Sequence, residues 1–443
     1  MAKYKEKIAE LLKLRIVKEC LTLVSGNVWA QGIVFAAYLL LTRLFSPADF
    51  GFYNIFCSYI DVLVIVSTCR YELAIVLSKD HREAVSVAHL ALRINGYTSL
   101  FVLVAIVLLS LFNPFEDVER FSIFTTSSPI FIIALLIPIT VYLSGTSRVY
   151  TMLLNRHRNF RQIALSDVIG SSAGVLARLL MGLPRFLSTL IHTIGLPLGV
   201  TLGRLAGNVN LRLQYRRLAG AERSSHEERG RVARKYRNFP LFTMPKEFIN
   251  SISHNLPFVW LAFYFDKAEV GLFALALTFT FRPVNILNSA IEKLLYIRVT
   301  ERVRDHQPIK RDLLRFLLIL NVVAVPFFVA AFFVAEPLFG FLFGGRWSGC
   351  GHYVRWLLPW VFVMLSSSSL MFLSNVFSRQ RTELCFSLLL FVLRIAAMII
   401  GLLTFNFTIA IALFSISGAA VSLAIVVWLV RLVCQYEKTV ATV

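Results

Sequence analysis

The sequence predicts an all-α integral membrane protein with about twelve transmembrane helices. Of its 443 residues, 57% are hydrophobic and only 16% are charged. Soluble domains carry about 25% charged residues. The mean hydropathy is +0.71, and the 38 phenylalanines outnumber the 25 acidic residues. This composition excludes a soluble enzyme, a disordered chain and a conventional nucleic-acid-binding protein.

Twelve apolar runs, each near the roughly 20 residues that a helix needs to cross a bilayer, are separated by clusters of charge. The predicted spans cover about 20–42, 50–69, 91–112, 128–147, 163–183, 187–210, 241–264, 270–292, 314–335, 353–376, 383–404 and 409–430. The first 19 residues place apolar side chains opposite lysines, which predicts an amphipathic helix on the cytoplasmic surface. No small-residue cleavage site follows the first apolar run, so we expect that span to remain uncleaved.

The basic residues orient the spans. With both termini in the cytoplasm, 33 of the 45 Lys and Arg residues fall on the cytoplasmic side and six in outward loops. Such an asymmetry is the positive-inside signal, and an odd number of spans would destroy it. We therefore predict a six-helix bundle at 20–211, a basic and solvated cytoplasmic linker at 212–239, a second bundle at 240–434 and a cytoplasmic tail at 435–443.

The sequence offers no chemistry of an enzyme. Six cysteines stand singly without a CxxC pair, and no Gly-Lys dipeptide exists to form a phosphate-binding Walker loop. The loops are too short for a further domain. We therefore predict no catalytic residues, no cofactor and no metal site.

An internal repeat divides the chain into two halves. At a shift of 220 residues, the stretch 45–53 (FSPADFGFY) aligns without gaps with 265–273 (FDKAEVGLF). Both stretches lie between the first two spans of a half. Because each half holds six spans, equivalent helices run in the same direction, which predicts two parallel repeats, as several secondary transporters have.

Polar side chains recur on one face of the first two spans of each half. Ionisable groups inside a bilayer are costly and usually face the bundle interior or a water-filled cavity. We therefore predict a central cavity lined by spans one, two, seven and eight. The candidate lining residues are Asn27, Gln31, Asn54, Asp61, Lys246, Glu247, Asn250, Arg282 and Asn285.

Structural explanations compete with this interpretation. Asp61 and Arg282 can form a buried ion pair that joins the halves. Lys246 and Glu247 can extend from their span to the membrane interface. Arg178 and Arg394, in the middle of spans five and eleven, are expected to contact lipid headgroups or accompany a lipid tail.

Several motifs resemble those of the polysaccharide-biosynthesis (Wzx-type) flippases of the multidrug/oligosaccharidyl-lipid/polysaccharide exporter superfamily. The most specific are 70–77 (RYELAIVL) and 236–240 (YRNFP), and 41–51 and 343–347 agree with them. The resemblance implies a V-shaped pair of six-helix bundles that works by alternating access. It also implies the transport of a polyprenyl (undecaprenyl) diphosphate oligosaccharide to the outer leaflet, driven by an ion gradient or the membrane potential. O-antigen (lipopolysaccharide), capsule and exopolysaccharide units are typical cargoes.

For that cargo, the residue types suggest separate roles. Arginine is a permanently charged donor fork suited to phosphate oxygens, which favours Arg282, with Lys246 and Arg70 nearer the entrance. Asp61 and Glu247 are the candidates for H⁺ or Na⁺ coupling. The candidates for binding sugar hydroxyls are Asn27, Gln31, Asn54, Asn250 and Asn285.

The resemblance also implies surroundings: the bacterial cytoplasmic (inner) membrane, its lipids, and polymerase and chain-length partners of the same pathway. Three other functions stay open. A multidrug or cation exporter of the same fold is the main alternative, although its cavity should favour carboxylates and aromatic rings. A membrane polymerase, ligase or glycosyltransferase needs a catalytic domain, and a scaffolding protein does not need charges within its spans.

Overall fold

The computed structural model describes residues 31–112, 129–183, 189–220, 224–304, 307–377 and 379–441, and these are almost entirely helical. The predicted N-terminal helix at 1–19 and the candidate Asn27 lie outside the described residues. The helices are, in chain order, α1 (Gln31–Leu44), α2 (Pro47–Ser67), α3 (Ala74–Leu77), α4 (His81–Phe112), α5 (Pro129–Arg156), α6 (Phe160–Gly182), α7 (Thr189–Ala219), α8 (His226–Lys235), α9 (Met244–Tyr264), α10 (Lys267–Arg304), α11 (Lys310–Phe343), α12 (Gly349–Leu370), α13 (Phe372–Val376), α14 (Gln380–Leu403) and α15 (Phe407–Ala441).

Nine helices among the described residues are long and apolar enough to cross a membrane. This confirms the prediction of an all-α, multi-pass membrane protein. The three other predicted spans overlap α1, α7 and α9, so the count of twelve stays a prediction.

The chain divides into two compact units. The first comprises Met1–Phe45 and Ile55–Ser251, and the second comprises Ser46–Asn54 and Ile252–Val443. In the first unit, α7 packs on α5 and α6, and α4 packs on α5. In the second unit, α15 packs on α12 and α14, and α11 packs on α12. The same packing order in both units is what two copies of one repeat should produce.

Glycines bring α6 and α7 of the first unit into close contact. An added Cβ on Gly203 would lie 2.7 Å from the Gly170 carbonyl oxygen, and one on Gly174 would lie 3.0 Å from the Gly199 carbonyl oxygen. Small residues spaced four apart let helix backbones approach within a membrane, where the hydrophobic effect contributes little to helix association.

The same groove accommodates Arg178, which corrects the expectation that this residue contacts lipid. Its side chain is only 6% exposed, its Nε donates to the Gly174 carbonyl oxygen at 3.0 Å, and its Cγ occupies the space beside Gly199. Arg394 is likewise buried, at 2% exposure. Both arginines point into their bundles because the protein supplies backbone acceptors that a hydrocarbon phase lacks.

The repeated motif forms a helix crossing in the second unit. Gly51 of α2 and Gly271 of α10 are equivalent residues of the repeat, and they lie against one another. An added Cβ on Gly271 would lie 1.8 Å from the Pro47 carbonyl oxygen, and one on Gly51 would lie 2.2 Å from the Lys267 carbonyl oxygen. Both positions therefore require glycine because backbone meets backbone there.

The segment 212–239, which we predicted as a solvated linker between the halves, contains the end of one helix and the whole of another among its described residues. Helix α7 continues to Ala219, and α8 begins with a capping box in which Ser225 and Glu228 bond each other's backbone. Val232 of α8 is buried in an apolar cluster of the first unit, and Lys235 forms an ion pair with Glu83 of α4. Apolar packing of Val232 and the ion pair of Lys235 dock this helix on its own unit.

Candidate functional site

Arg70 links two carboxylates at the turn that follows α2. Its Nη1 lies 3.3 Å from Glu72 Oε1, and its Nη2 lies 3.3 Å from Glu247 Oε2 of α9. Glu72 is 1% exposed and accepts a further hydrogen bond of 2.6 Å from the Thr68 hydroxyl. Cys69 and Arg70 both adopt positive φ, at 49° and 60°. Such a conformation is costly for residues other than glycine, so the surrounding contacts must hold it.

Arg148 lies beside this turn. It belongs to the interior of α5, and it interacts electrostatically with Arg70, Glu72, Asp61 and Arg204. Its Nη1 is buried and has no hydrogen-bond partner among the described residues. A guanidinium donor without an acceptor is costly to bury, which indicates that this position serves something besides packing.

Asp61 and Arg204 complete the group. Asp61 is exposed on α2, and its carbonyl oxygen accepts a hydrogen bond of 3.2 Å from the Ser251 hydroxyl of α9. Arg204 is exposed on α7 and also interacts electrostatically with Asp167 of α6. We name Asp61, Arg70, Glu72, Arg148, Arg204 and Glu247 the charged cluster; all six belong to the first unit.

Three of the predicted residues belong to this cluster: Asp61, Arg70 and Glu247, of which Arg70 and Glu247 are in contact. The first unit also contains Gln31, Lys246 and Asn250, each half-buried, on α1 and α9. In the second unit, Arg282 is half-buried and Asn285 exposed on α10.

The Asn54 side chain forms a hydrogen bond within its own helix, α2: its Nδ2 donates to the Phe50 carbonyl oxygen at 2.7 Å. The ion pair between Asp61 and Arg282 would join the two units and stays a prediction, as does the central cavity.

Sequence reasoning missed Glu72, Arg148 and Arg204 as site residues. The apolar run that ends near residue 147 assigns Arg148 to a cytoplasmic loop. The available signal is the absence of any Gly or Pro between Arg148 and the turn at His157 and Arg158, where Arg158 adopts a positive φ of 54°. A helix continuing to that turn places Arg148 inside it.

The chemistry of the cluster is that of an anion site balanced by carboxylates. Three guanidinium groups provide planar donor forks that match phosphate oxygens. Three carboxylates offset their charge and can accept a proton or a cation. No group of three or more His, Cys, Asp or Glu residues that could hold a metal ion occurs in the part of the chain that the structure describes.

Comparisons with known proteins place this chain among polysaccharide-biosynthesis proteins. Two family models described as "Polysaccharide biosynthesis protein" match residues 16–258 and 219–352. The succinoglycan biosynthesis transport protein ExoT of Rhizobium meliloti (strain 1021) is 24% identical over 332 residues. That match covers 72% of this chain and 60% of the relative, so the chain spans less than two thirds of that protein's length.

Solved structures share the fold. The lipid II flippase MurJ in an inward closed conformation matches with a TM-score of 0.67 at 14% identity, covering 94% of this chain and 91% of that one. An inward-facing multidrug resistance MATE transporter of the MOP superfamily matches with a TM-score of 0.61 at 14% identity, covering 95% and 96%. A mutant of the Vibrio cholerae MATE transporter VcmN matches with a TM-score of 0.60 at 13% identity, covering 98% of each chain.

The chain thus shares its fold with these MurJ and MATE structures, and the two family models show the relationship by sequence. One of those models alone covers more than half of the chain. The chain belongs to the polysaccharide biosynthesis protein family.

Proposed function

We propose that this protein is a flippase that moves a polyprenyl-diphosphate-linked oligosaccharide from the cytoplasmic to the outer leaflet of the bacterial inner membrane by alternating access. The family, the name of the transport relative and the fold shared with a lipid flippase support a transporter of a lipid-linked polysaccharide precursor. O-antigen, capsule and exopolysaccharide units are the candidate cargoes. Both termini lie in the cytoplasm, and polymerase and chain-length proteins are the expected partners.

The charged cluster is the observation that carries the proposal. A diphosphate loses hydration when it leaves the membrane surface, and fixed guanidinium donors can replace part of that hydration. Arg148, beside Arg70 and Arg204, has an Nη1 donor with no hydrogen-bond partner among the described residues. We therefore assign diphosphate recognition in the first unit to these three arginines, and keep Arg282 and Lys246 as further candidates.

Glu247 gives the cluster a way to release its ligand. Its Oε2 lies 3.3 Å from Arg70 Nη2 and takes the position in which a phosphate oxygen would bind. A carboxylate and a phosphate oxygen compete for the same donor, so ligand binding would free Glu247. The freed carboxylate can then take up H⁺ or Na⁺, which makes Glu247 and Asp61 the candidates for ion coupling.

Neutral polar residues are the candidates for the sugar. Hydroxyl groups of an oligosaccharide pair with side-chain amides, which donate and accept hydrogen bonds. Asn250 and Gln31 are half-buried in the first unit, and Asn285 is exposed in the second. The apolar polyprenyl tail can remain in lipid throughout.

The test is leaflet-resolved accumulation of lipid-linked oligosaccharide in cells from which the gene is deleted and then restored. A membrane-impermeant glycosidase added to spheroplasts reports the glycan in the outer leaflet. Deletion should leave the intermediate inaccessible, and the wild-type gene should restore access. An intermediate that still crosses, in cells without a redundant flippase, refutes the proposal, and a gain in sensitivity to cationic drugs would instead favour the multidrug exporter.

The same assay tests the cluster with matched arginine variants. Arg148→Gln should reduce outer-leaflet glycan about tenfold or more at normal membrane abundance, because charge-assisted hydrogen bonds contribute about 1.5–3 kcal/mol each. Arg93→Gln, at an exposed position of α4, is the control and should transport as the wild type does. Equal transport by both variants would remove Arg148 from the site.

A further inference from the structure

Arg394 is a buried cation in the interior of α14. Its side chain is 2% exposed, and no carboxylate pairs with it among the described residues. Its Nη1 donates to the Ser253 carbonyl oxygen of α9 at 3.2 Å and to the Ser253 hydroxyl at 3.3 Å. Its Nε and Nη2 have no hydrogen-bond partner in the part of the chain that the structure describes. Burying a guanidinium without a carboxylate partner and with unsatisfied donors costs free energy, so the hydrogen bonds to Ser253 are expected to contribute to stability.

The Ser253 carbonyl has a particular need for a donor. In an α-helix this oxygen accepts the N–H of the residue four positions later, which here is Pro257. Proline has no N–H, so the hydrogen bond of the helix is missing at this point of α9. Within a membrane, water is absent and another protein group must satisfy a carbonyl that proline leaves free. Arg394 supplies that group.

Two aromatic rings hold the guanidinium in place for this task. Its Cζ lies 4.9 Å from the ring centroid of Trp360 in α12 and 4.6 Å from that of Phe414 in α15. Trp360 in turn packs on Gly418, where an added Cβ would lie 2.6 Å from the indole. The faces of aromatic rings attract cations and offset part of the cost of burial. All of these residues belong to the second unit.

We infer that Arg394 is a positioning residue that replaces the missing Pro257 N–H donor and so fixes the conformation of α9 around Ser253. The turns of α9 before Ser253 carry Lys246, Glu247 and Asn250, so its importance for transport rests on the proposed function. The replacement of the donor itself does not depend on that function.

A double-mutant cycle in the full-length protein tests the replacement. Arg394→Met keeps an unbranched side chain, although a shorter one, and removes every donor, and it should lower the melting temperature in detergent by roughly 5 °C or more. Pro257→Ala restores the backbone N–H, so the double variant should recover at least half of that loss beyond the shift that Pro257→Ala causes in the wild type. Pro326→Ala, which makes the same change in α11 of the same unit, is the matched control and should shift the melting temperature equally in the wild-type and Arg394→Met backgrounds.

Each outcome bears on the inference. A Pro257→Ala shift that is larger in the Arg394→Met background than in the wild type, with an equal shift for Pro326→Ala in both, supports it, since a purely packing role would make no distinction between the two prolines. If Arg394→Met melts like the wild type, or if neither proline variant rescues it, Arg394 does not replace the donor. Melting is measured without substrate, so failure of the flippase proposal would leave this result unaffected.

Discussion

The crossing of α2 and α10 at Gly51 and Gly271 allows a prediction with a magnitude. In Gly271→Ala, the new Cβ would lie 1.8 Å from the Pro47 carbonyl oxygen, about 1.6 Å short of the 3.4 Å at which ordinary contact begins. Both partners are helix backbone, so no side chain can turn aside. The helices must separate, and we expect a cost of about 3 kcal/mol, at the upper end for overpacked sites.

Thermal unfolding of the purified protein in detergent, together with its abundance in the membrane, measures this cost. Gly271→Ala should lower the melting temperature by roughly 5 °C or more. Gly51→Ala, whose Cβ would lie 2.2 Å from the Lys267 carbonyl oxygen, should act in the same direction. The double variant should lose less than the two single losses added together, because one separation accommodates both methyl groups.

Gly96→Ala in α4 is the control, since no heavy atom lies within 4 Å of its added Cβ. It should melt at or above the wild-type temperature, because alanine favours a helix more than glycine does. If Gly271→Ala and Gly96→Ala behave alike, the close backbone approach is wrong.

Three further predictions concern charged side chains. Glu247→Gln should lower the apparent KM for the lipid-linked oligosaccharide severalfold, because it frees a donor of Arg70, and a raised KM in a reconstituted transport assay would contradict this. Lys235→Glu should speed cleavage around α8 by proteinase K, which does not depend on basic residues, by breaking the ion pair with Glu83, and adding Glu83→Lys should slow it again; the absence of rescue would show that the pair does not dock the helix. Burial and neighbouring positive charges lower the pKa of His157 in the loop between α5 and α6 below its ordinary value. Stability should therefore fall as the pH drops below about 6.5, and His157→Gln should flatten that dependence in melting curves between pH 5 and 8, whereas an unchanged slope would exclude His157 as its source.

The class of the protein and much of its architecture are predictable from its amino-acid sequence. Composition and apolar runs identify a membrane protein. In lipid, each spanning helix must make its backbone hydrogen bonds within itself, so the apolar run that predicts a span can be read from that stretch of sequence alone. The repeat at 45–53 and 265–273 pointed to two equivalent halves, and its glycines meet at the crossing of α2 and α10.

The contacts of the charged side chains, in contrast, depend on how the helices pack. Arg70 and Glu247 are 177 positions apart in the chain, so their pairing depends on how α2 and α9 pack and leaves no local pattern. Arg178 and Arg394 look alike in sequence, as single arginines within apolar spans. Their burial follows from partners on other helices, a glycine groove for one and a proline-freed carbonyl for the other. A hydrophobic pattern predicts which residues form a membrane-spanning helix. The hydrogen-bond acceptors that an arginine of that helix contacts depend on the neighbouring helices, and so on the whole fold.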